Sequence, residues 1–464
     1  MRKKPNVKRN IRFALAAFVI LFIVLIGYLG FSVMVYGETW FSMPYNPRIA
    51  AARENVQAGT IFDRNGVRLA WTEDSGRQYA GDSATRKAVA HLVGDTKGKT
   101  VGAETYFSRY LYGYDKNVLE RLNLAVAGKD FNGSDIKLTV DSKLCRYIYR
   151  NMGYNGAVVV LDYKTGQVLA SVSKPSFDPE DIPDAGEDEN QGSEYVNRAT
   201  QGRYPPGSTM KIITAAAAID QGVDFSYICT GSQTIGGQNI TCPEKGGHGT
   251  VTLQTAFEES CNTYFGMLST KLGGATLEQY ANRFMYNTNF NFPDFMLYSS
   301  KFQNSADPGD VAWEGIGQYN DLITPMHNAM IAACIGNGGV MRQPKLLLDV
   351  LHNKKSVYTY DAGALTAPVG QETAAKLKDL MEKTVRQGTA TAAQLSGYTV
   401  GGKTGTAEYV EDGQTKNHSW FVGFVDSPEH PLAICVVLEG AGYGSAYATP
   451  LAHDALEYAI EQGY

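Results

Sequence analysis

Cysteine is scarce in this chain of 464 residues, and its six copies never recur at the close paired spacing that marks a zinc ribbon. Cys229 and Cys242 share one loop rich in glycine and threonine, where they could form a disulfide if the domain is exported. His248 follows closely, so a metal site built from these three residues is an alternative, although no clear fourth ligand stands nearby. Unpaired, buried thiols are the third possibility.

Histidine is also scarce, and so is clustered positive charge. The seven histidines form neither the His-Glu-x-x-His pattern of zinc proteases nor a Ser-His-Asp set. Six basic residues and no acidic residue occupy the first twelve positions, but beyond them acidic residues outnumber basic ones. The lack of a basic patch there argues against nucleic acid as a partner. A hydrophobic content of 44% and a charged content of 19% are typical of a globular protein.

One long apolar run without charge, residues 13–35, is long enough to cross a bilayer. The basic residues before it place segment 1–12 in the cytoplasm by the positive-inside rule. A cleaved signal peptide is the competing interpretation, but the run is too long for a signal-peptide core and no Ala-x-Ala-like site follows it. We therefore predict a single-pass anchor in the cell membrane, with the chain from about residue 36 onward outside the cytoplasm.

Beyond the anchor, the sequence predicts two domains. Residues 36–136 mix short helical and strand patterns, including a hairpin that turns at Asn65-Gly66, and show no nucleophile-base pair or metal cluster. This segment is predicted to be a small, non-catalytic α+β pedestal domain, similar in role to a dimerisation or docking module. Residues 137–464 form the second domain and contain every candidate catalytic residue.

The second domain has strand patterns at both of its ends. A hairpin of two apolar strands spans residues 156–170, and three further strands are predicted at 398–402, 419–425 and 432–438. Helical patterns fill the middle of the domain. We therefore predict a mixed α/β (α+β) fold in which both ends of the domain build one sheet and a helical insert separates them.

Residues 204–214, with the sequence YPPGSTMKIIT, contain the first candidate for catalysis. Two prolines and a glycine directly precede Ser208, and a run of helix-favouring residues follows it. Ser208 should therefore lie at a helix N-terminus, where a developing oxyanion is stabilised. Lys211 lies one turn later in an apolar helix, which should bury it and lower its pKa toward neutrality. A serine beside a lysine that can accept its proton is the Ser-Lys arrangement of covalent catalysis.

Short copies of the same motifs occur elsewhere in the chain and are predicted to be structural. Ser134 and Lys137, like Ser171 and Lys174, have the Ser-x-x-Lys spacing but fall in strand-like runs, where residues three apart point to opposite faces. A Lys-Thr-Gly copy at residues 164–166 is predicted to form the turn of the 156–170 hairpin.

Two further motifs strengthen the serine signal. Ser260-Cys261-Asn262, the single Ser-x-Asn of the chain, interrupts a helical region, so its hydroxyl and amide can face a cleft. Lys403-Thr404-Gly405-Thr406 is predicted to end the strand at 398–402, with Lys403 as a fixed positive charge and the threonine hydroxyls as ligands of a substrate carboxylate. Glycines at 401, 402 and 405 should leave the strand edge bare, so that backbone can approach a ligand closely.

These three motifs, in this order, resemble the Ser-x-x-Lys, Ser-x-Asn and Lys-Thr-Gly set of penicillin-binding proteins and serine β-lactamases. The anchor, Asn46-Pro47-Arg48, Asp63-Arg64-Asn65-Gly66, Gly317-Gln318 and the segment at 419–424 are similar to class B penicillin-binding proteins, the monofunctional D,D-transpeptidases of peptidoglycan synthesis. The resemblance implies a transpeptidase domain with a mainly antiparallel sheet, flanking helices and a helical subdomain. The short pedestal and the cysteine inside Ser-x-Asn depart from the family pattern.

The resemblance also implies roles for the catalytic residues. Ser208 would attack the penultimate D-Ala carbonyl of a stem peptide, with Lys211 as general base. Ser260 would relay a proton to the leaving amine, Asn262 would orient Lys211 and the substrate amide, and Lys403 would keep the local field positive. No metal or cofactor is required by this chemistry.

Substrate binding is implied for Thr404, Gly405 and Thr406, and the backbone N–H groups of Ser208 and Thr406 would form the oxyanion hole. β-Lactams would mimic the D-Ala-D-Ala end of the stem peptide and trap Ser208. The chain has no glycosyltransferase domain of its own, so a membrane glycosyltransferase is an expected partner.

Three alternative functions share parts of this pattern. A membrane-anchored serine β-lactamase needs a base that activates water, such as a glutamate, and the sequence gives no convincing position for one. A carboxypeptidase differs only in using water as the acceptor. A non-catalytic scaffold or activator of a membrane glycosyltransferase would not need the intact motif residues, so their presence favours an enzyme.

Overall fold

The structure is a computed structural model that describes residues 7–41, 56–114, 132–182, 192–361, 363–411 and 413–464. Its first element is the helix Val7–Phe41, which contains the predicted anchor at 13–35. Among the described residues, its segment Val7–Val33 is the one helix long and apolar enough to cross a membrane, and none of its apolar window is buried. Segment 1–6 and Asn46-Pro47-Arg48 lie outside the described residues.

A five-stranded antiparallel sheet, the central sheet, organises the second domain. Its strand order is Val400–Glu411, Gln414–Val425, Leu432–Leu438, Gly156–Asp162 and Val168–Lys174. The prediction that both ends of the domain build one sheet is therefore confirmed. Leu432–Leu438, in the middle of the sheet, is buried at every position, in accord with its unbroken apolar sequence.

Helices pack against the central sheet. The helix Pro325–Gly336 contacts three of its strands and is buried along its whole length, which explains its almost uniformly apolar sequence. Thr324 caps this helix by accepting from the backbone N–H of His327, and Pro325 takes the first helical position, where no N–H donor is needed. The helices Ser142–Asn151 and Ala448–Glu461 pack against the sheet and each other, and the helix Gln371–Gln387 packs against Val400–Glu411.

The middle of the domain is largely helical, as predicted. A short 3₁₀ turn, Gly207–Met210, leads into the helix Lys211–Gln221. The other helices of this region are Leu253–Glu258, Asn262–Leu272, Gly274–Arg283 and Pro308–Glu314. Two small ladders lie among them, Tyr227–Cys229 with Gly249–Val251 and Ser232–Ile235 with Gln238–Thr241. Smaller elements elsewhere are the 3₁₀ turns Ser193–Tyr195 and Thr391–Ala393 and the ladder of Met341–Arg342 with Ala364–Thr366.

A second sheet of six strands includes the described strands of the predicted pedestal segment. Its order is Lys355–Ser356, Leu347–His352, Asp135–Leu138, Ile61–Phe62, Arg68–Glu73 and Gly76–Tyr79. The predicted hairpin around Asn65-Gly66 is confirmed, because Ile61–Phe62 and Arg68–Glu73 pair antiparallel. The helices Ser83–Val93, Ala103–Tyr106 and Ser108–Leu111 complete this region. The sheet draws strands from both sides of the predicted boundary at 136/137.

Candidate active site

Ser208 lies in the 3₁₀ turn Gly207–Met210, one turn before the first residue of the helix Lys211–Gln221. This turn is held against the central sheet. Gly207 has a φ of 54°, and a Cβ there would lie only 2.6 Å from the carbonyl oxygen of Thr406, so the position requires glycine. Trp420 Nε1 donates to the carbonyl oxygen of Pro205 at 3.1 Å, which fixes the approach to the turn. The helix that the sequence places at Ser208 therefore begins as this 3₁₀ turn, and its α-helical part starts one turn later than predicted, at Lys211.

Lys211 is completely buried beside the motif Ser260-Cys261-Asn262. Its Nζ donates to the carbonyl oxygen of Ser260 at 2.7 Å, to Ser260 Oγ at 3.2 Å and to Asn262 Oδ1 at 2.6 Å. Burial disfavours the charged ammonium and lowers the pKa of Lys211 from its ordinary 10.5 to about 8. A neutral amine is therefore accessible near physiological pH, as a general base requires.

Ser260 occupies the break between the helices Leu253–Glu258 and Asn262–Leu272. Its φ is 55°, a conformation that residues other than glycine rarely adopt. This conformation places the hydroxyl between two lysines, because Lys403 Nζ donates to Ser260 Oγ at 2.8 Å while Lys211 Nζ lies 3.2 Å from the same atom. Ser260 Oγ is thus within hydrogen-bond distance of both buried amines.

Lys403 is also completely buried, and its Nζ donates to the carbonyl oxygen of Thr404 at 3.2 Å. Burial and the nearby Lys211 lower the pKa of Lys403 well below its ordinary value. Burial therefore opposes the positive charge expected for Lys403, and that charge stays a prediction. Its hydrogen bond to Ser260 is instead the contact that joins the later strand to the Ser-x-Asn loop.

The strand that carries Lys403 is longer than predicted. The sequence places its end at residue 402, whereas the structure continues it as Val400–Glu411, paired along its length with Gln414–Val425. Thr404 and Thr406 therefore lie inside the strand. Thr404 Oγ1 lies 2.7 Å from Thr389 Oγ1, and Thr406 Oγ1 accepts from the backbone N–H of Gly444 at 3.4 Å.

The expected role of the strand glycines is wrong. A Cβ on Gly401 would lie 2.4 Å from the ring of Phe424, and one on Gly402 would lie 2.5 Å from the ring of Phe421. These glycines make room for aromatic rings of the neighbouring strand, not for a ligand. Gly405 packs in the same way against Trp420 Cβ, at 2.9 Å from the position of an added Cβ, although Gly405 also lines the cleft described next.

A cleft of about 500 Å³ opens over these residues. Six of the eight predicted site residues line it, namely Ser208, Ser260, Asn262, Thr404, Gly405 and Thr406. The other two, Lys211 and Lys403, are buried and reach the cleft through Ser260. The structure therefore brings all eight predicted residues together.

Other residues that line the cleft were not predicted from the sequence, among them Glu244, Glu259, Trp313, Thr389 and Tyr443. Thr389 had a usable signal, because it follows Gly388, which ends the amphipathic helix Gln371–Gln387 and turns the chain back toward the sheet. No motif marks Trp313 or Tyr443, which come from segments far apart in the chain.

The other motif copies are structural, as predicted. Lys137 lies in the strand Asp135–Leu138 immediately after Ser134, and both Ser171 and Lys174 lie in Val168–Lys174. The Lys-Thr-Gly copy at 164–166 lies in the turn between Gly156–Asp162 and Val168–Lys174. All six cysteines lie within the described residues and are free, buried thiols, so the possible Cys229–Cys242 disulfide is not formed.

Comparison with known proteins agrees with this geometry. A family model described as the penicillin binding protein transpeptidase domain matches residues 156–457, well over half of the chain. The chain belongs to this family. Peptidoglycan D,D-transpeptidase PbpA of Mycobacterium tuberculosis (strain H37Rv) is 30% identical over an alignment of 388 positions that covers 76% of this chain and 78% of that protein.

Solved structures of penicillin-binding proteins extend the match. Penicillin-binding protein A from M. tuberculosis, as a ceftriaxone acyl-enzyme complex, superposes with a TM-score of 0.80 at 26% identity over 89% of this chain and 100% of that one. A D,D-transpeptidase domain from Eggerthella lenta gives a TM-score of 0.76 at 29% identity over 88% and 99%. The predicted class B penicillin-binding protein and its α+β fold are confirmed. Together with the apolar N-terminal helix, this membership indicates a membrane-anchored protein.

Proposed function

We propose that this penicillin-binding protein is a peptidoglycan D,D-transpeptidase that cross-links stem peptides through an acyl-enzyme on Ser208. The observation that carries the proposal is the buried amine of Lys211, one helical turn from Ser208 and hydrogen-bonded to both Ser260 and Asn262. A lysine with a pKa of about 8 in that position can take the proton of a serine nucleophile.

Acylation requires two proton transfers, one from Ser208 and one to the leaving amine. Neutral Lys211 accepts the hydroxyl proton as Ser208 Oγ attacks the carbonyl carbon of the penultimate D-Ala. The peptide C–N bond to the terminal D-Ala breaks, and the protonated Lys211 passes its proton to the leaving amine through Ser260 Oγ, which returns Lys211 to the neutral form. Lys403, at 2.8 Å from that oxygen, holds the relay in place.

The strand beside the nucleophile supplies the binding groups. Thr404 and Thr406 present hydroxyls to the terminal carboxylate of the substrate, and Gly405 lies between them on the wall of the cleft. The backbone N–H groups of Ser208 and Thr406 form the oxyanion hole. The contact of Gly207 with Thr406 supports this role, because it holds the two backbone segments side by side.

Deacylation completes the cross-link. An amine of a neighbouring stem peptide attacks the acyl carbon, the ester bond to Ser208 Oγ breaks, and Ser208 takes the proton that the amine loses. A β-lactam has the same carboxylate and amide arrangement as the D-Ala-D-Ala end and leaves an acyl group on Ser208. The resemblance to β-lactam acyl-enzyme complexes of penicillin-binding protein A supports this part of the proposal.

The proposed topology places the active site outside the cytoplasm. Segment 1–12 is cytoplasmic, 13–35 spans the membrane, 36–136 forms the pedestal and 137–464 carries the transpeptidase domain. The basic residues before the apolar helix support this orientation. A membrane glycosyltransferase that makes glycan strands is the proposed partner, since the substrate peptides hang from those strands.

Acyl transfer by the full chain in detergent tests the function. The donor is a stem peptide ending in D-Ala-D-Ala, and the acceptor is a peptide with a free side-chain amine. We expect D-Ala release together with a cross-linked product, both lost in Lys211→Met. Release of D-Ala without cross-linked product would indicate a carboxypeptidase.

A coloured cephalosporin, added in parallel, tests for a β-lactamase. Three glutamates line the cleft, Glu244, Glu259 and Glu408, and a glutamate is the kind of base that a β-lactamase uses to activate water. The assay therefore measures hydrolysis of the cephalosporin directly. Hydrolysis of many cephalosporin molecules per chain would show that the protein is a β-lactamase and not a transpeptidase. If the chain neither transfers an acyl group nor reacts with the cephalosporin, the result would support a non-catalytic scaffold.

A further inference from the structure

Four potential metal ligands meet beside the active site. The ligand atoms of Cys229, Cys242, His248 and Cys261 all lie within 4.8 Å of one another. The three thiols are buried, and the imidazole is partly exposed at the edge of the cleft. Cys261 is the fourth ligand that the sequence pattern did not provide, because it stands in the Ser-x-Asn motif and not in the loop that contains the other three.

Three of the six distances between these ligand atoms match a tetrahedral zinc site. Zn–S bonds of about 2.3 Å and Zn–N bonds of about 2.0 Å place two sulfurs about 3.8 Å apart and a sulfur and a nitrogen about 3.5 Å apart. Cys229 Sγ lies 3.8 Å from Cys242 Sγ, and Cys242 Sγ lies 3.8 Å from Cys261 Sγ. His248 Nδ1 lies 3.4 Å from Cys229 Sγ. A disulfide would need two sulfurs at about 2.0 Å and would use only two of the three thiols.

The local fold holds the ligands in this arrangement. Cys229 ends the strand Tyr227–Cys229, and its partner in the ladder is Gly249, which follows His248 directly. Gly247 has a φ of 74°, and a Cβ there would lie 2.3 Å from the carbonyl oxygen of Cys229, so the turn before His248 is tightly folded. The backbone of Cys242 donates to the carbonyl oxygen of Gly231 at 2.8 Å, which closes the loop.

Neighbouring donors point at the sulfurs. Thr263 Oγ1 lies 3.1 Å from Cys229 Sγ and 3.4 Å from Cys261 Sγ. The backbone N–H of Tyr264 donates to Cys261 Sγ at 3.5 Å. Outer-shell hydrogen bonds of this kind stabilise metal-bound thiolates and orient them.

We propose that Cys229, Cys242, His248 and Cys261 bind one Zn²⁺ ion as a closed structural site. Three thiolates and one imidazole are a ligand set of structural zinc, and soft sulfur ligands disfavour Mg²⁺ and Ca²⁺. Each thiol loses its proton to solvent when the ion binds. All four coordination positions are filled by protein, so the ion supplies no step of the reaction.

The zinc site also holds the Ser-x-Asn motif in place. Cys261 stands between Ser260 and Asn262 in the chain, so a metal bond to its sulfur restrains both neighbours. Asn262 Nδ2 donates to the carbonyl oxygen of Thr241 at 2.8 Å, and Thr241 precedes the ligand Cys242. The ion therefore fixes both the motif and the loop against which Asn262 packs, which is a positioning role for Cys261. This consequence rests on the proposed transpeptidase function, whereas metal binding does not.

Metal analysis of the full chain, purified in detergent under reducing conditions, tests the site. We expect one zinc per chain by mass spectrometry of the metal. Cys229→Ser and His248→Gln should each lower zinc affinity by about tenfold or more. Cys334→Ala is the matched control, because Cys334 is an equally buried thiol on the helix Pro325–Gly336 and should leave the zinc content unchanged.

Cobalt provides a second measurement that needs no variant. Protein stripped by a chelator and reloaded with Co²⁺ should show thiolate-to-cobalt charge-transfer absorption and the visible bands of a tetrahedral site. A wild-type chain that contains no zinc and gives no such spectrum would overturn the proposal, even if the variants fail to fold. Zinc retained equally by Cys229→Ser and His248→Gln would do the same, and so would a peptide map that links Cys229 to Cys242 in protein purified without reductant.

The effect on the active site is measured separately with a fluorescent penicillin. We expect acylation of the zinc-free protein to slow by about tenfold or more and to recover when Zn²⁺ is returned. Ser208→Ala should keep its zinc and form no adduct, so loss of the metal and loss of catalysis are told apart. An acylation rate that ignores the zinc content would refute the positioning role.

Discussion

The pH dependence of acylation should report the burial of Lys211. Acylation needs the neutral amine, and burial lowers the pKa of Lys211 from 10.5 to about 8. The neutral fraction is then about one-tenth at pH 7 and about nine-tenths at pH 9, compared with about 0.03% at pH 7 for an ordinary lysine. The rate should therefore rise about tenfold between pH 7 and pH 9 and be lost as the pH falls through about 8.

The assay is the second-order rate of acylation by a fluorescent penicillin, measured from pH 6 to pH 10 by rapid quenching. Circular dichroism at each pH separates loss of base from loss of fold. Lys211→Arg, which keeps a charge that cannot be lost in this range, should be inactive at every pH. A rate that is constant between pH 6.5 and pH 9, or one that rises only near the ordinary lysine pKa, would refute Lys211 as the base.

Three further predictions concern the relay, the nucleophile turn and acid stability. Ser260→Ala should slow acylation about 100-fold, because both buried lysines lose their shared acceptor; the fluorescent penicillin assay measures this. Gly207→Ala should cost about 2 kcal/mol of unfolding free energy and slow acylation, since its Cβ would meet the carbonyl oxygen of Thr406 at 2.6 Å. Burial lowers the pKa of His327 from 6.5 to about 4, so between these pH values the unfolded chain binds a proton that the folded chain does not. The unfolding free energy should therefore fall by about 3 kcal/mol as the pH falls from 6.5 to 4, which urea unfolding measures.

Gly207→Ala has a matched control in the chain. Gly222 directly follows the helix Lys211–Gln221, has a φ of 65° and has no atom within 4 Å of an added Cβ. Gly222→Ala should therefore cost only about 1 kcal/mol of unfolding free energy and leave acylation unchanged. Equal acylation rates in Gly207→Ala and wild type would contradict the close contact with the strand. His327→Gln should reduce the acid loss, and an unchanged loss would assign it to other groups. A Ser260→Ala rate within about threefold of wild type would exclude the relay.

Much of the catalytic domain could be predicted because local patterns and tertiary structure agree. The apolar strands Gly156–Asp162 and Leu432–Leu438 are buried on both faces, and such strands are visible as unbroken apolar runs. Ser208 and Lys211 were found for a similar reason. Two prolines and a glycine directly precede the serine and mark the start of a helix. The apolar helix that follows can be stable only when it is buried.

The rest depends on contacts between distant segments. The sequence of residues 403–406 has weak strand propensity, yet pairing with Gln414–Val425 carries the strand through it, because tertiary pairing outweighs local preference. Gly401 and Gly402 look like an open edge until the rings of the neighbouring strand are placed over them. Leu347–His352 joins the pedestal sheet across two hundred residues of chain, a pairing with no local signal.

The measurement that tests the central claim most directly is the intact mass of the full chain after incubation with benzylpenicillin, beside Ser208→Ala. We predict a single stable adduct on the wild type, with a mass increase equal to that of the antibiotic, and none on the variant. An adduct on both proteins, or on neither, would contradict Ser208 as the nucleophile of this cleft. Release of hydrolysed penicillin without a lasting adduct would contradict the slow deacylation expected of a wall transpeptidase.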